Sequence, residues 1–170
     1  KGSVYRDQFP WLADRPLVLY TGSIGRVNGL AYMVRLAYAM QSLDPEIRFL
    51  VVGQGREQAA MTALARETGV FEKSMFFLPP VNKSQLPVIL SAATVCSSWV
   101  IPVPELAYNS ANKFFDALAA GRPMLINHGG WQADLLTATG AGLVLPAQDP
   151  NQAASILQPV LRDQSRLTAM

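Results

Sequence analysis

The sequence predicts an α/β fold, a parallel sheet with helices on both faces. Short apolar runs alternate with longer segments of helical periodicity, as in successive βα units. Half of the residues are hydrophobic and only 15% are charged, against about 25% in ordinary soluble proteins. A sheet buried on both faces, or a missing partner domain, explains so apolar a chain. Glycines follow several of the apolar runs, where sheets of this class bind ligands.

The strands are predicted from runs of β-branched and bulky apolar residues, most of them bounded by Gly or Pro. These runs are residues 17–21, 48–52, 75–78, 94–97, 124–127 and 143–145.

The helices between them are predicted from periodicity and from capping signals. Residues 30–43 and 58–68 carry apolar side chains at helical spacing, which indicates crossover helices. Capping residues and turns predict helices over 84–92, 110–120 and 151–161. Residues 1–16, with Pro10, Trp11 and Pro16, are predicted to be a linker, so that one domain spans 17–170.

The composition excludes several functional classes. Fourteen basic and twelve acidic residues are mixed along the chain, so no basic surface for nucleic acid is predicted. The single cysteine, Cys96, lies in an apolar stretch and is predicted to be a core residue in a reducing cytoplasm. No apolar run reaches the roughly 18 residues of a membrane span, and the first ten residues lack a signal-peptide core.

The loop after the first strand is a candidate phosphate site. Its sequence, TGSIGRVNG at residues 21–29, includes Gly22, Ser23 and Gly25 and leads directly into a helix. Glycines permit close backbone approach, and a helix N-terminus offers N–H groups to a phosphate. Arg26 adds a cation suited to bidentate contact. A glycine turn that serves only packing is the alternative.

A nicotinamide-dependent dehydrogenase is the enzyme class that such a loop first suggests. That class places an acidic residue at the end of the second strand to bind a ribose, but here Gly53, Gln54, Gly55 and Arg56 follow that strand. No tyrosine stands four residues before a lysine, as short-chain dehydrogenases require. The sequence therefore disfavours this class.

A second candidate site begins the helix predicted over residues 110–120. Asn109 or Ser110 is predicted to cap it, and its first turn presents N–H groups beside Lys113. Asp116, three residues on, lies near the same face and can accept hydrogen bonds from a diol. The alternative is a capped amphipathic helix with an ion pair between Lys113 and Asp116.

Residues 113–123, KFFDALAAGRP, resemble the signature helix of family-4 retaining glycosyltransferases, in particular the subgroup related to bacterial L-fucosamine transferases. Further segments resemble the family in the same order over residues 17–162. These are GSIGR at 22–26, VVGQG at 51–55, FLPPV at 77–81, the glycine pair at 129–130, and the segment 142–150.

The resemblance implies the Rossmann-like, donor-binding half of a two-domain GT-B enzyme, whose N-terminal acceptor domain is absent from this chain. It implies retaining, metal-independent transfer from a nucleotide diphosphate sugar, UDP-linked, to a cell-envelope glycan or lipid-linked acceptor. The absence of an Asp-x-Asp motif agrees, and no cofactor is expected. The enzyme is expected in the cytoplasm, at the inner face of the membrane, with membrane contact only through the missing domain.

Site residues follow from the same resemblance. Arg26 and Lys113 are expected to neutralise the diphosphate as catalytic residues, Asp116 to bind the ribose hydroxyls, and backbone at Pro80 and Val81 to bind the base. The other expected donor-binding residues are Gly22, Ser23, Gly25, Gly53, Gly55, Ser110, Ala111 and Asn112.

The sequence also departs from the family. Tyr108 and Asp116 stand where the family has two glutamates, and the usual lysine after the first-loop arginine is missing. A UDP-sugar epimerase of the same architecture and a non-catalytic sugar-nucleotide-binding module therefore remain alternatives.

Three other residues have two interpretations each. His128, after the fifth predicted strand, either approaches the sugar or supports its loop. Trp99 and Trp131 either line the site or contact the missing domain.

Overall fold

The computed structural model describes residues 2–170 and contains one sheet of six parallel strands, which confirms the predicted fold. The order across the sheet is β3-β2-β1-β4-β5-β6, the order of Rossmann-like sheets. It reverses between β1 and β4, and the crevice at the carboxyl ends there is where such sheets bind ligands. The strands are β1 (Leu17–Thr21), β2 (Arg48–Val52), β3 (Met75–Leu78), β4 (Val95–Ser98), β5 (Met124–Ile126) and β6 (Gly142–Val144).

Helices cover both faces of this sheet. One core contains Met33 and Leu157, and the other contains Ile89 and Phe114. Among residues 2–170, no helix has the length and hydropathy needed to cross a membrane. The helices are α1 (Gly2–Arg6), α2 (Leu30–Leu43), α3 (Gln58–Glu67), α4 (Leu86–Ala92), α5 (Asn112–Ala119), α6 (Trp131–Thr139), α7 (Pro150–Arg162) and α8 (Gln164–Ala169).

Strand β1 divides its side chains between the two cores because successive residues of a strand point to opposite faces. Val18 and Tyr20 pack in the core on the α2 side, whereas Leu17 and Leu19 pack on the α5 side. Tyr20 is paired in register with Val51 of β2 and with Ser97 of β4. The end of β1 therefore lies at the centre of the ligand-binding edge.

Two helices begin later than the sequence predicts. Helix α4 begins at Leu86 rather than Ser84, with Gln85 as its N-cap. Helix α5 begins at Asn112, and its N-cap is Ala111, which makes no side-chain capping bond. Asn109 and Ser110 precede this start, so the first turn of α5 has no side-chain cap.

Residues 2–16, expected as a linker, pack against the domain. The side chain of Leu12 is fully buried, and the Trp11 ring stacks on Phe76 with the centroids 3.7 Å apart. The Arg6 guanidinium donates to the carbonyls of Ala92 and Arg15 at 2.9 and 2.8 Å. This segment is part of the packed core rather than a tether.

Candidate functional site

A cleft of about 680 Å³ opens at the carboxyl ends of β1 and β2. The loop after β1, the end of β2, the loop after β3 and the first turns of α5 form its walls. Nine of the predicted site residues line it: Gly22, Ser23, Gly53, Pro80, Val81, Ala111, Asn112, Lys113 and Asp116.

Four predicted site residues do not line this cleft. Arg26 is exposed in the short 3-10 turn Arg26–Asn28, and Ser110 is exposed before the cap of α5. A Cβ on Gly55 would lie 2.3 Å from the Ile24 carbonyl oxygen, so Gly55 serves the close packing of two loops. Gly25 is the N-cap of the 3-10 turn, in extended backbone.

The loop after β1 is fixed to the end of β2 by backbone hydrogen bonds. The Gly22 amide donates to the Val52 carbonyl at 3.0 Å, and the Ile24 amide donates to the Gln54 carbonyl at 2.9 Å. A Cβ on Gly53 would lie 1.8 Å from the Gly22 carbonyl oxygen, so only glycine permits this approach. Within residues 2–170 the Ser23 amide has no acceptor, and Ser23 lines the cleft.

The N-terminus of α5 presents unsatisfied amides to the same cleft. Phe114 is the first residue of this helix whose amide is bonded, to the Ala111 carbonyl at 3.0 Å. The amides of Asn112 and Lys113 have no acceptor in the described part of the chain. Free N–H groups and the positive end of the helix dipole attract an anion.

Lys113 places a half-buried cation beside these amides. Its Nζ lies 5.0 Å from the centroid of the Tyr20 ring, and its Cε would lie 3.1 Å from a Cβ on Gly22. Burial lowers the pKa of the Lys113 ammonium from its ordinary value because desolvation disfavours the charged form. The ion pairs found over residues 2–170 are Arg15–Glu46 and Arg162–Asp44. The alternative of a Lys113–Asp116 ion pair is therefore wrong.

Asp116 lies one helical turn beyond Lys113, where the cleft meets a second depression of about 450 Å³ between α4 and α5. Pro80 and Val81 are exposed on the opposite wall. A ligand that contacts Lys113 can therefore also reach the Asp116 carboxylate and the loop after β3, because all of them line the same cleft.

Sequence reasoning missed polar residues that line the cleft, among them Asn28 and Gln54. Asn28 Nδ2 donates to the Ser23 carbonyl. Both residues stand in glycine-containing loops that the sequence predicts to bind the donor, so their location near the site could be predicted. The directions of their side chains could not be predicted, because they depend on how the two loops pack.

None of the three residues with two interpretations lines this cleft. His128 is half-buried outside the cleft, with Nδ1 2.8 Å from the Gly129 carbonyl oxygen. Trp99 is 1% exposed and packs against Tyr32 in the core, whereas Trp131 is 37% exposed and stacks on Phe115. Cys96 is a core residue as predicted, and burial raises the pKa of its thiol to about 12.

The chain is similar to known glycosyltransferases in sequence and in fold. It is 24% identical over 149 residues to the 2-deoxystreptamine glucosyltransferase of Streptomyces kanamyceticus, covering 86% of this chain and 36% of that protein. The chain thus spans about a third of this relative's length.

Two solved structures share the fold. The HepE protein of Anabaena, solved in complex with UDP and glucose, matches with a TM-score of 0.81 and 17% identity over 99% of this chain and 44% of that one. WaaG, a glycosyltransferase involved in lipopolysaccharide biosynthesis, matches with a TM-score of 0.76 and 20% identity over the same shares of the two chains.

A family model settles the relationship. The model described as Glycosyl transferases group 1 matches residues 15–163, which include every strand and the whole cleft. The chain therefore belongs to the Glycosyl transferases group 1 family.

Proposed function

We propose that this chain is the donor-binding domain of a glycosyltransferase and that its cleft binds a nucleotide diphosphate sugar. The observation that carries this proposal is that the unbonded amides of Ser23, Asn112 and Lys113 and the half-buried Lys113 ammonium all lie in one cleft. A diphosphate requires such donors and a cation, and the glycines let its oxygens approach the backbone. The UDP bound to the Anabaena relative supports UDP as the nucleotide.

The Lys113 ammonium and the amides at the start of α5 are also proposed to assist transfer of the sugar. When the nucleoside diphosphate leaves the sugar, negative charge develops on its phosphates. Lys113 and the amides of α5 are already fixed there, so they stabilise the transition state without a metal ion. Arg26, which is exposed on the loop after β1 and does not line the cleft in this structure, is the proposed second cation.

The acceptor is proposed to be a cell-envelope glycan or a lipid-linked glycan, with retention of the anomeric configuration. The role of WaaG in lipopolysaccharide biosynthesis supports this class of acceptor. We assign the chain to the L-fucosamine-transferase-like subgroup, on the segment 113–123 and on the short loop that lacks a lysine after Arg26.

The longer protein is proposed to supply an acceptor domain, which makes any contact with the inner face of the membrane. The shares of the relatives that the chain covers, 36% and 44%, leave room for one. We expect the chain alone to bind donor nucleotide and transfer nothing, because transfer requires an acceptor positioned against the donor.

Calorimetric titration of the 170-residue chain with UDP, GDP and NAD tests the proposal. UDP is expected to bind, and Lys113→Ala is expected to weaken it by about tenfold or more, the value of a charge-assisted hydrogen bond. The matched control is Lys73→Ala, an exposed lysine outside the cleft. Preferred binding of NAD, or no binding of any nucleotide, would overturn the proposal.

Asp116 has a separate test, since its proposed partner is the ribose. Wild type is expected to prefer UDP over 2′-deoxy-UDP, and Asp116→Ala is expected to remove that preference. An undiminished preference in the variant would assign Asp116 another role.

A further inference from the structure

The phenol of Tyr20 fixes the loop that lines the cleft. Tyr20 is fully buried near the end of β1, and its hydroxyl donates at 2.7 Å to the Ser23 carbonyl, which also accepts a hydrogen bond from Asn28 Nδ2. The Ile24 amide, in the same peptide unit as that carbonyl, donates to the Gln54 carbonyl at 2.9 Å. This peptide unit is therefore held from both sides, and the neighbouring Ser23 amide is left unbonded at the cleft.

The ring of the same tyrosine faces the cation. Tyr20 packs in the core on the α2 side, whereas α5 packs on the opposite face. Lys113 extends across the end of β1 to place its Nζ 5.0 Å from the centroid of the Tyr20 ring. The negative face of an aromatic ring attracts an ammonium at this distance, which offsets part of the desolvation that Lys113 undergoes.

We infer that Tyr20 is a positioning residue that sets both phosphate-binding groups of the cleft, the Ser23 amide through its hydroxyl and the Lys113 ammonium through its ring. This inference rests on the proposed binding of a nucleotide diphosphate. Tyr20 itself does not line the cleft, so it acts only through these two partners.

Tyr32 offers a matched control within the same core. Its hydroxyl also donates to a backbone carbonyl, that of Pro146 at 2.9 Å, and its ring also contacts one neighbour, Trp99, at 5.0 Å between centroids. Neither partner lines the cleft. A purely structural role for buried tyrosines predicts that both respond alike.

The first experiment compares Tyr20→Phe with Tyr32→Phe by thermal unfolding and by UDP titration. Each variant loses one buried hydrogen bond, so we expect similar, small decreases in Tm. UDP affinity is expected to fall about three- to tenfold in Tyr20→Phe and to stay unchanged in Tyr32→Phe. Equal UDP affinities in the two variants would overturn the role of the hydroxyl.

The second experiment tests the ring by a double-mutant cycle of Tyr20→Leu and Lys113→Ala. If the ring acts through Lys113, Tyr20→Leu weakens UDP binding more in the wild-type background than in the Lys113→Ala background. Equal losses in both backgrounds would overturn the role of the ring. Should Tyr20→Leu not fold, the same cycle is run with Tyr20→Met, which also lacks the ring.

UDP titration of the wild-type chain distinguishes failure of the proposed donor-binding function from failure of the inference about Tyr20. UDP binding by wild type with equal affinities in Tyr20→Phe and Tyr32→Phe removes the inference and leaves the donor-binding function standing. Absence of UDP binding by wild type removes both.

Discussion

Lys113 carries its positive charge on a half-buried side chain. Burial lowers its pKa from the ordinary value of 10.5 because the ammonium is desolvated. A bound diphosphate would supply the counter-charge and raise this pKa again, so we expect nucleotide binding and protonation of Lys113 to be coupled.

The coupling predicts a pH dependence of binding. UDP affinity is expected to fall as the pH rises through the pKa of Lys113 in the free chain, below 10.5, because the neutral amine does not attract phosphate. In Lys113→Arg the affinity is expected to stay level over the same range, since arginine remains protonated. Calorimetry between about pH 7 and pH 10 measures both curves. A parallel fall in both proteins would show that another group titrates.

At the scale of single residues, the sequence predicted which residue types form the site better than it predicted which side chains face the cleft. Helical spacing placed Lys113 and Asp116 near one face, and the glycine loops marked Gly22 and Gly53 at strand ends; all four line the cleft. Gly55 follows the same pattern but packs against Ile24, and Arg26 is exposed in a turn. The spacing of residues in a loop does not specify which side chains face a cleft, because loop packing decides it.

The contact between the loop after β1 and the end of β2 depends on glycine. In Gly53→Ala the added Cβ would meet the Gly22 carbonyl oxygen at 1.8 Å, and backbone cannot yield as a flexible side chain does. We expect the free energy of unfolding to fall by about 2–3 kcal/mol and UDP affinity to fall with it.

Gly25→Ala is the matched control in the same loop. Its nearest contact would be Asn28 Nδ2 at 3.8 Å, and its φ of −109° suits any residue. Denaturant unfolding is expected to show little change. A large loss in Gly25→Ala, or none in Gly53→Ala, would contradict this account of the loop.

Helices and strands were predicted with the right bounds where burial or hydrophobic periodicity is clear in the sequence. The runs forming β1, β2 and β3 and the amphipathic helix α2 have the predicted bounds, because burial and period are clear there. Helix α6 was missed: it buries Gln132 and Leu136 yet exposes Leu135, so its apolar residues do not mark one face. The predicted caps of α5 failed where its amides face the cleft, as expected where function overrides local preference.

Helices α2 and α7 are joined by an ion pair. Asp44, which caps the C-terminus of α2, is 8% exposed and accepts from Arg162 of α7 at 2.6 and 2.9 Å. Hydrogen bonds from Arg162 lower the pKa of Asp44 from its ordinary value of 3.8. The pair connects positions 118 residues apart.

Asp44→Asn is expected to lower the free energy of unfolding at neutral pH by about 1–2 kcal/mol. Because the folded-state pKa of Asp44 is lowered, this contribution is present above pH 3.8 and is lost as the pH falls below that value. Denaturant unfolding at neutral pH and near pH 3 measures the difference.

Glu46→Gln, in the more exposed pair with Arg15, is the control and is expected to change stability by less than about 0.5 kcal/mol. An Asp44→Asn effect that persists unchanged in acid, or an equal effect of Glu46→Gln, would contradict the role of the Asp44–Arg162 pair.

For the whole molecule, alternating βα units predicted the fold class, and the order of the motifs predicted the family. Docking of residues 2–16 was not predicted, because Pro10 and Pro16 suggest an extended segment and no period marks α1. Leu12 and the stacked Trp11 hold this segment partly through contacts with residues distant in sequence, such as Phe76.

A crystal structure of the 170-residue chain with UDP tests the central claim most directly. We expect the diphosphate at the N-terminus of α5, within hydrogen-bonding distance of the Lys113 ammonium and the Asn112 and Ser23 amides, with the ribose at Asp116. UDP bound elsewhere on the domain, or in the cleft with its phosphates directed away from Lys113, would contradict the account.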